Sequence, residues 1–321
     1  ERVVGTLPAL TPGVRSPKSM GWGAGKRRGE RPIRWRVARM DGEILPLKLG
    51  GLGAGRISAG RRQAGVAWIE IPRAADYAGS LRDAGVEADP KLRLERLLEE
   101  ARACAADLGG RLVEDAELAD TVNYLSEWPV ALAGGFDPAT LGLPRQVITT
   151  AMKSHQRYFS VESSSGELLP AFIVVLNGER PDPAEVRSGN ERVLTARLAD
   201  ARFYWDEDRR VGLAGMREHL NSLLWVEGHG SMADRGERLR ILVGRLADLL
   251  GDVDFDREAL DWAALHCKAD QASEMIKDGK EFTKLSGAMG REYALAEGVD
   301  PARAELLWQH SLPRQAGDRL P

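Results

Sequence analysis

The sequence predicts an α+β fold in two domains, an α+β domain at residues 1–210 and an all-α domain at residues 211–321. Short β-branched and apolar segments separated by turn residues occur only before Arg210. After Arg210 the apolar residues recur at helical spacing. A chain of 321 residues is also longer than one typical core, so two domains are expected.

Composition limits the classes of function. Hydrophobic residues make up 43% and charged residues 29% of the chain, which is ordinary for a globular protein. The net charge of −3 provides no overall field for nucleic acid, so any RNA contact requires local basic patches. Cys104 and Cys267 have no paired spacing, which argues against a disulfide framework or a thiolate zinc site. We therefore expect a reducing, cytoplasmic location and no membrane span.

The elements before residue 145 follow from turn residues and apolar spacing. Two extended segments flank the Asp41-Gly42 turn and predict a hairpin within residues 33–49. Further along, the patterns predict a short strand at residues 67–71 and two helices at residues 75–84 and 90–108. Another strand is predicted after Trp128-Pro129.

The stretch from Arg145 to Arg210 combines strand, turn and helix signals. Val147–Thr150 is β-branched and apolar, which predicts a buried strand. A polar turn follows. After it, the sequence predicts an extended segment at residues 158–161, a turn at residues 163–166 and a second buried strand at residues 168–176.

A helix is predicted to begin at Ser188, because Ser188 and Glu191 have capping-box spacing. Its apolar positions are Leu194, Leu198, Ala201 and Trp205. Three more helices are predicted after it, at residues 216–224, 232–250 and 257–266.

The polar turn contains the best candidate site, formed by Lys153, His155, Gln156 and Arg157. Turns commonly present functional side chains, and Tyr158 or Phe159 beside them would suit stacking on an unpaired base. The alternative, which the residues alone leave open, is an ordinary exposed turn with one aromatic ring in the core.

Arginines recur every five residues along the following helix, at positions 187, 192, 197 and 202. This spacing winds around a helix, so the four side chains cannot all face one ligand. Neighbouring carboxylates favour intramolecular ion pairs or subunit contacts for many of them. We select Arg192 and Arg197 as candidates for RNA binding or a subunit interface.

A metal site is the other chemistry to consider. His266, Asp270 and Glu274 are spaced i, i+4, i+8, so on one continuous helix they would share a face and could ligate a metal. Cys267 lacks an orienting partner for nucleophilic catalysis, and we expect it in the core. No Walker-type phosphate loop and no H-E-x-x-H zinc motif occurs in the sequence. We predict no catalytic residue in this chain.

Several long segments together resemble one family. They are TAMKSHQRYFSV, RSGNERVLTARLADARFYWDEDRR, HCKADQASEMI and GAMGREYA, with PKSMGWG and EWPVAL upstream and PRQAGDRLP downstream. In this order they strongly resemble the β subunit of the bacterial heterotetrameric glycyl-tRNA synthetase. The resemblance covers nearly the whole chain, which we expect to be an internal fragment of a longer subunit.

The resemblance implies a function. In this family the whole enzyme forms glycyl-adenylate from ATP and then transfers glycine to its tRNA. The α subunit carries the catalytic core and uses ATP with Mg²⁺, whereas the β subunit handles the tRNA. The expected partners are tRNA(Gly) and the α subunit in an α2β2 assembly. No cofactor is expected on this fragment itself.

The family also implies two domain types. The first domain is similar to the B3/B4 module, and the second is similar to the HD superfamily of metal-dependent phosphohydrolases and is truncated here. That superfamily requires a His-Asp pair, which this sequence lacks. We therefore expect a degenerate HD fold without metal. The rival hypotheses are an active HD phosphohydrolase and a purely structural subunit.

Overall fold

The computed structural model describes most of the chain, and every structural statement refers to the residues it describes. These are residues 6, 18–22, 27–29, 33–49, 51–62, 65, 68–179, 182–251, 255–278 and 281–317.

The chain forms two compact units, each assembled from separate stretches of sequence. Unit 1 comprises residues 1–103, 115–132 and 175–181. Unit 2 comprises residues 104–114, 133–174 and 182–321.

Unit 1 contains antiparallel hairpins of very short strands. The predicted hairpin at Asp41-Gly42 is confirmed, because Arg39 pairs with Ile44 and Met40 with Glu43 across the turn. Asp41 has a positive φ of 49°, which a tight turn requires and aspartate tolerates. The strands are β1 (Met20–Trp22), β2 (Arg27–Gly29), β3 (Arg39–Met40), β4 (Glu43–Ile44), β5 (Lys48–Leu49), β6 (Leu52–Gly53), β7 (Ile57–Ala59) and β8 (Trp68–Glu70).

Three helices follow these hairpins: α1 (Tyr77–Asp83), α2 (Pro90–Asp107) and α3 (Ala116–Asn123). The first two confirm the predicted helices at residues 75–84 and 90–108. The side chain of Asp115 caps α3 by accepting a hydrogen bond from Leu118 N at 2.9 Å. Arg93 of α2 donates from Nε to Asn123 O at 3.0 Å, which ties α2 to the end of α3.

A four-stranded sheet has the strand order β10-β12-β11-β9. Its strands are β9 (Arg111–Leu112), β10 (Pro129–Gly135), β11 (Phe159–Glu162) and β12 (Leu168–Asn177). The strands predicted after Trp128-Pro129, at 158–161 and at 168–176 are confirmed. β11 and β12 pair antiparallel across the predicted turn, with Phe159 opposite Ile173.

The predicted strand at Val147–Thr150 is wrong, because these residues lie in helix α4 (Arg145–Ala151). The buried positions are Val147, Ile148 and Ala151, which fall on one helical face. Short apolar runs do not distinguish a buried strand from a buried helix, and β-branched composition favoured the wrong alternative.

The long helix α5 (Pro183–His219) dominates unit 2. Its predicted start at Ser188 is wrong, because Asp182 caps it by accepting from Glu185 N at 3.0 Å. Glu191 instead accepts a hydrogen bond from Gly135 N at 2.9 Å. At Gly212 the backbone leaves helical geometry, with φ 69° and ψ 167°. Beyond this break Leu213 N donates to Glu297 Oε1 at 2.6 Å.

The remaining helices are α6 (Met232–Leu249), α7 (Arg257–His266), α8 (Glu274–Asp278), α9 (Ala288–Ala296) and α10 (Pro301–Gln309). Helices α6 and α7 confirm the predictions at 232–250 and 257–266. The helix predicted at 216–224 is partly wrong, because α5 ends at His219 and a 3₁₀ turn, Leu220–Ser222, replaces the rest.

The class is a mixture of helix and sheet, as an α+β fold requires. The described residues after 210 form helices and turns, with one isolated bridge between Leu224 and Ser231. The division at residues 210 and 211 stays a prediction. No helix within the described ranges is long and apolar enough to cross a membrane.

Candidate nucleic-acid interface

The polar segment that the sequence singles out is helical. Residues Met152–Gln156 continue α4 as a π-helical turn, so the prediction of a turn between two strands is wrong. Arg157 ends this turn in the left-handed conformation, with φ 58° and ψ 36°. Both features are uncommon and often mark functional sites, because their backbone strain must be held by the surrounding structure.

Arg157 also caps the turn with its side chain. Its guanidinium donates to Lys153 O at 3.0 Å and to Ser154 O. A cation at a helix C-terminus satisfies the last carbonyls and suits the helix dipole. The side chain is exposed, but its donors already serve the fold. Loss of RNA binding after removing Arg157 would therefore not distinguish a contact from a damaged cap.

The other candidates in this segment have different surroundings. Lys153 and Gln156 are half-buried. Gln156 Oε1 lies 3.4 Å from the Tyr158 hydroxyl oxygen. The backbone of His155 lies in the π-helical turn, and its side chain lies outside the described set. A role for these residues in RNA binding stays a prediction.

The predicted stacking of Tyr158 or Phe159 on a base is wrong. Their exposed fractions are 2% and 1%. The Tyr158 ring stacks on Phe172 with centroids 4.5 Å apart, and its hydroxyl donates to Asn190 Oδ1 at 2.6 Å. Burial raises the pKa of Tyr158 to about 12. Both rings belong to the core of unit 2.

The arginines of α5 fall into two groups. Arg187 donates to Ala133 O at 2.9 Å and Arg202 to Ala139 O at 2.8 Å. These two hold backbone carbonyls instead of forming the ion pairs expected from the neighbouring acidic residues. Arg192 and Arg197 are exposed and have no hydrogen-bond or ion-pair partner within the described part of the chain. The two arginines selected from the sequence are thus available to contact RNA or another subunit.

The residues considered for a metal site do not come together. Helix α7 ends at His266, a 3₁₀ turn follows, and α8 begins at Glu274, so the predicted shared helix face is wrong. Glu274 is half-buried and pairs with Lys277, with 3.3 Å between Oε1 and Nζ. Among the described residues, no group of three His, Cys, Asp or Glu side chains is arranged to hold a metal.

Asp270 is committed to the fold. It is fully buried, and its Oδ2 accepts hydrogen bonds from Gly287 N and from Gly290 N, the latter at 3.2 Å. Oδ1 accepts from Ser286 Oγ at 3.3 Å. The carboxylate therefore satisfies backbone donors at the start of α9. Cys267 is buried beside it, as expected, and burial raises the pKa of its thiol, which disfavours the nucleophilic thiolate.

A family model described as "Glycyl-tRNA synthetase beta subunit" matches residues 2–321. The chain belongs to this glycyl-tRNA synthetase β-subunit family.

Curated relatives agree with this assignment. The chain is 41% identical over 314 residues to the glycine–tRNA ligase β subunit of Desulforamulus reducens. It is 40% identical over 315 residues to the β subunits of Geobacter metallireducens and Geobacter sulfurreducens. Each alignment covers 98% of this chain but 45% of the relative. The chain thus spans a little under half of the length of these relatives.

Sequence reasoning missed a buried acidic site within the segments that resemble the β-subunit family. Asp208 of α5 is 1% exposed and accepts hydrogen bonds from three donors. They are Glu274 N at 2.6 Å, Met275 N at 3.1 Å and the Tyr293 hydroxyl at 2.6 Å. Asp208 lies in the charged segment Asp206–Arg210, where a carboxylate gave no such signal. What could have revealed it is its helical register with Leu194, Leu198 and Ala201 on the buried face.

His266 makes the stability of this family member depend on pH. Its ring stacks on Trp262 with centroids 4.8 Å apart, and burial lowers its pKa below the usual 6.5. As the pH falls below about 6.5, the His266 imidazole binds a proton in the unfolded chain more readily than in the folded chain. The free energy of unfolding therefore falls. We expect urea unfolding at pH 7.5 and 5.0 to show a smaller loss for His266→Gln than for the unchanged protein. Equal losses in both would contradict this.

Proposed function

We propose that this chain is the tRNA-handling part of the β subunit of a glycine–tRNA ligase. In this role it supports the ATP-dependent attachment of glycine to tRNA(Gly) by binding the tRNA and the catalytic α subunit. The observation that carries the proposal is the family match over residues 2–321. The names of the curated relatives support the same reading.

The proposed division of labour assigns the chemistry to the α subunit. ATP and Mg²⁺ are used there, in a cytoplasmic α2β2 assembly, and this fragment binds no cofactor. Two buried carboxylates, Asp208 and Asp270, serve as hydrogen-bond acceptors for backbone amides in this chain. Their commitment to the fold supports a binding role over metal-dependent phosphate hydrolysis.

The proposal extends to the two domain types. We assign residues 1–210 to a B3/B4-like α+β domain and residues 211–321 to an incomplete HD-like helical domain. The absence of named strands among the described residues after 210 supports the helical assignment. The engagement of Asp270 as an acceptor for Gly287 and Gly290 supports a degenerate HD site.

Arg192 and Arg197 are the residues with which to test RNA binding. Both are exposed on α5, and neither guanidinium is engaged within the described ranges, so their removal should not disturb the fold. We expect Arg192→Gln with Arg197→Gln, in the full β subunit assembled with α, to weaken tRNA binding several-fold. Each lost phosphate contact should also reduce the salt slope of binding by about 1. Filter binding at several salt concentrations measures both quantities.

Arg245 provides the matched control. It is exposed on α6, and no ion pair or hydrogen bond engages its guanidinium in the described structure. Arg245→Gln removes the same charge from another helix. An equal change in all variants would indicate only the loss of overall charge. An assembled complex that binds no tRNA even without substitutions would refute the proposed function.

A further inference from the structure

A tightly held loop precedes α6 in unit 2 and carries an exposed apolar tip. Leu224, Trp225 and Val226 are exposed by 71%, 38% and 46%. Large apolar side chains in a contiguous exposed set indicate an interaction surface. Within the described part of unit 2, this set is distinct from the Lys153–Arg157 segment and from the exposed arginines of α5.

The loop is built to hold Trp225 in one place. Trp225 N donates to Gly230 O at 3.1 Å, and Met232 N donates to Leu223 O at 2.8 Å. Gly228 and Gly230 have positive φ angles of 78° and 86°, which the tight reversal requires. Such backbone bonding pre-orders the tip, so less ordering is required when a ligand binds.

Helix α6 begins immediately after the loop and is firmly capped. Ser231 Oγ accepts from Asp234 N at 3.1 Å, and Asp234 Oδ2 accepts from Ser231 N at 2.7 Å. This reciprocal pair is a capping box, and it fixes the first turn of α6 relative to the loop. The side chains of that turn are therefore placed reproducibly beside Trp225.

Two arginines in the first two turns of α6 lie beside the indole. The guanidinium carbons of Arg235 and Arg238 lie 5.1 Å and 5.0 Å from the Trp225 ring centroid. Both distances are within the range of a cation–π interaction. The arrangement couples an exposed aromatic ring to two fixed positive charges.

The neighbouring carboxylates form their close contacts with groups other than Arg235 and Arg238. Asp234 is engaged in the capping box, and Glu237 pairs with Arg217 at 3.4 Å and Arg240 at 3.0 Å. Neither Arg235 nor Arg238 forms an ion pair with any described residue. Both guanidiniums therefore remain available to pair with a phosphate.

A further cation, Lys268, precedes the 3₁₀ turn that follows α7. Lys268 is half-buried, and its Nζ lies 2.8 Å from Nε2 of His310. Nδ1 of His310 lies 2.7 Å from Leu307 O and donates to it, so Nε2 accepts from the ammonium and the imidazole is neutral. Burial lowers the pKa of Lys268, and the charge of nearby Arg235 lowers it further.

We propose that Trp225, Arg235 and Arg238, here called the Trp225 platform, bind an unpaired base of an RNA strand and its adjacent phosphates. Aromatic rings and guanidinium planes stack on splayed-out bases, and fixed arginines pair with the flanking phosphates. The proposal rests on the proposed function, in that the RNA is a tRNA. The combination of an exposed aromatic ring with two guanidiniums that form no ion pair among the described residues favours RNA over an apolar protein segment.

The test uses the full β subunit assembled with its α subunit and radiolabelled tRNA(Gly). We expect Trp225→Ala to raise the Kd for tRNA about 10-fold, as alanine substitution at stacked bases does. Trp225→Phe retains a stacking ring and should stay within about 3-fold of the unchanged complex. Arg238→Gln should reduce the salt slope of binding by about 1.

Arg209→Gln is the matched control. Arg209 is exposed and lies 5.8 Å from the centroid of Trp205, but that ring is 5% exposed and cannot stack on a base. Its substitution should leave tRNA affinity within about 2-fold, since no stacking surface is lost. Thermal unfolding of every variant verifies the fold, and Arg238→Gln keeps the test decisive where Trp225→Ala unfolds.

Three results would overturn the platform while leaving the proposed function intact. One is that the wild-type complex binds tRNA and that the Trp225→Ala and Arg238→Gln variants bind it with the same affinity and the same salt slope. Another is a Trp225→Ala variant that assembles poorly with α but, once assembled, binds tRNA normally, which would indicate a protein partner. The third is a Trp225→Phe variant as weak as Trp225→Ala. Failure of the wild-type complex to bind tRNA would instead refute both proposals.

Discussion

Replacing Asp208 by alanine is expected to lower the free energy of unfolding by about 3–5 kcal/mol, the loss typical of breaking a buried charged network. The substitution leaves Glu274 N, Met275 N and the Tyr293 hydroxyl buried without their acceptor. Each unsatisfied donor costs about 1–3 kcal/mol. Urea unfolding followed by circular dichroism measures the change.

Asp200→Ala is the control, because Asp200 is exposed on the same helix and should change stability by less than about 0.5 kcal/mol. Tyr293→Phe removes one of the three donors, so it should cost less than Asp208→Ala. Because the two groups share one hydrogen bond, the double variant should cost less than the sum of the single variants. Strict additivity would show that the Asp208–Tyr293 bond contributes nothing to stability.

Replacing Gly134 by alanine is expected to cost about 2–3 kcal/mol, in the range for overpacking a filled core. A Cβ at position 134 would lie 2.3 Å from Cζ of Phe172. That ring cannot withdraw easily, because it is fully buried and stacks on Tyr158. Denaturant unfolding should therefore show a lower midpoint with an unchanged slope.

Two further variants test the cause of that loss. Phe172→Leu alone should be destabilising, but it removes the ring, so combining it with Gly134→Ala should cost less than the sum. Gly189→Ala is the control, since an added Cβ there meets nothing within 4 Å. It should stabilise α5 by about 0.5–1 kcal/mol, because alanine loses less entropy in a helix than glycine. A destabilised Gly189→Ala would contradict the helical assignment at that position.

The sequence predicted the helices with sustained apolar periodicity, such as α2, α6 and α7, and the strands bounded by clear turns. It failed where two local patterns compete. The apolar run at Val147–Thr150 is short enough to be read either way, and the packing of Val147, Ile148 and Ala151 selected the helix. Ser188 offered a capping signal, but Asp182 with Pro183 begins the helix nearly two turns earlier.

The candidate interface was only partly predictable, for a physical reason. The exposure of Arg192 and Arg197 agrees with their selection, because charged positions on an amphipathic helix face water. The left-handed backbone of Arg157 and the acceptor roles of Asp208 and Asp270 depend on contacts far along the chain. A carboxylate in sequence looks like a solvated group until its tertiary donors are known.

The backbone break at Gly212 interrupts the ladder of i to i−4 hydrogen bonds in α5. Helix–coil cooperativity depends on that ladder, so residues 183–211 and 213–219 melt as separate segments. Fraying that starts at His219 ends at the break, where Glu297 supplies the acceptor for Leu213 N. We therefore expect native-state hydrogen exchange to show two classes of amide protection within α5, one on each side of Gly212.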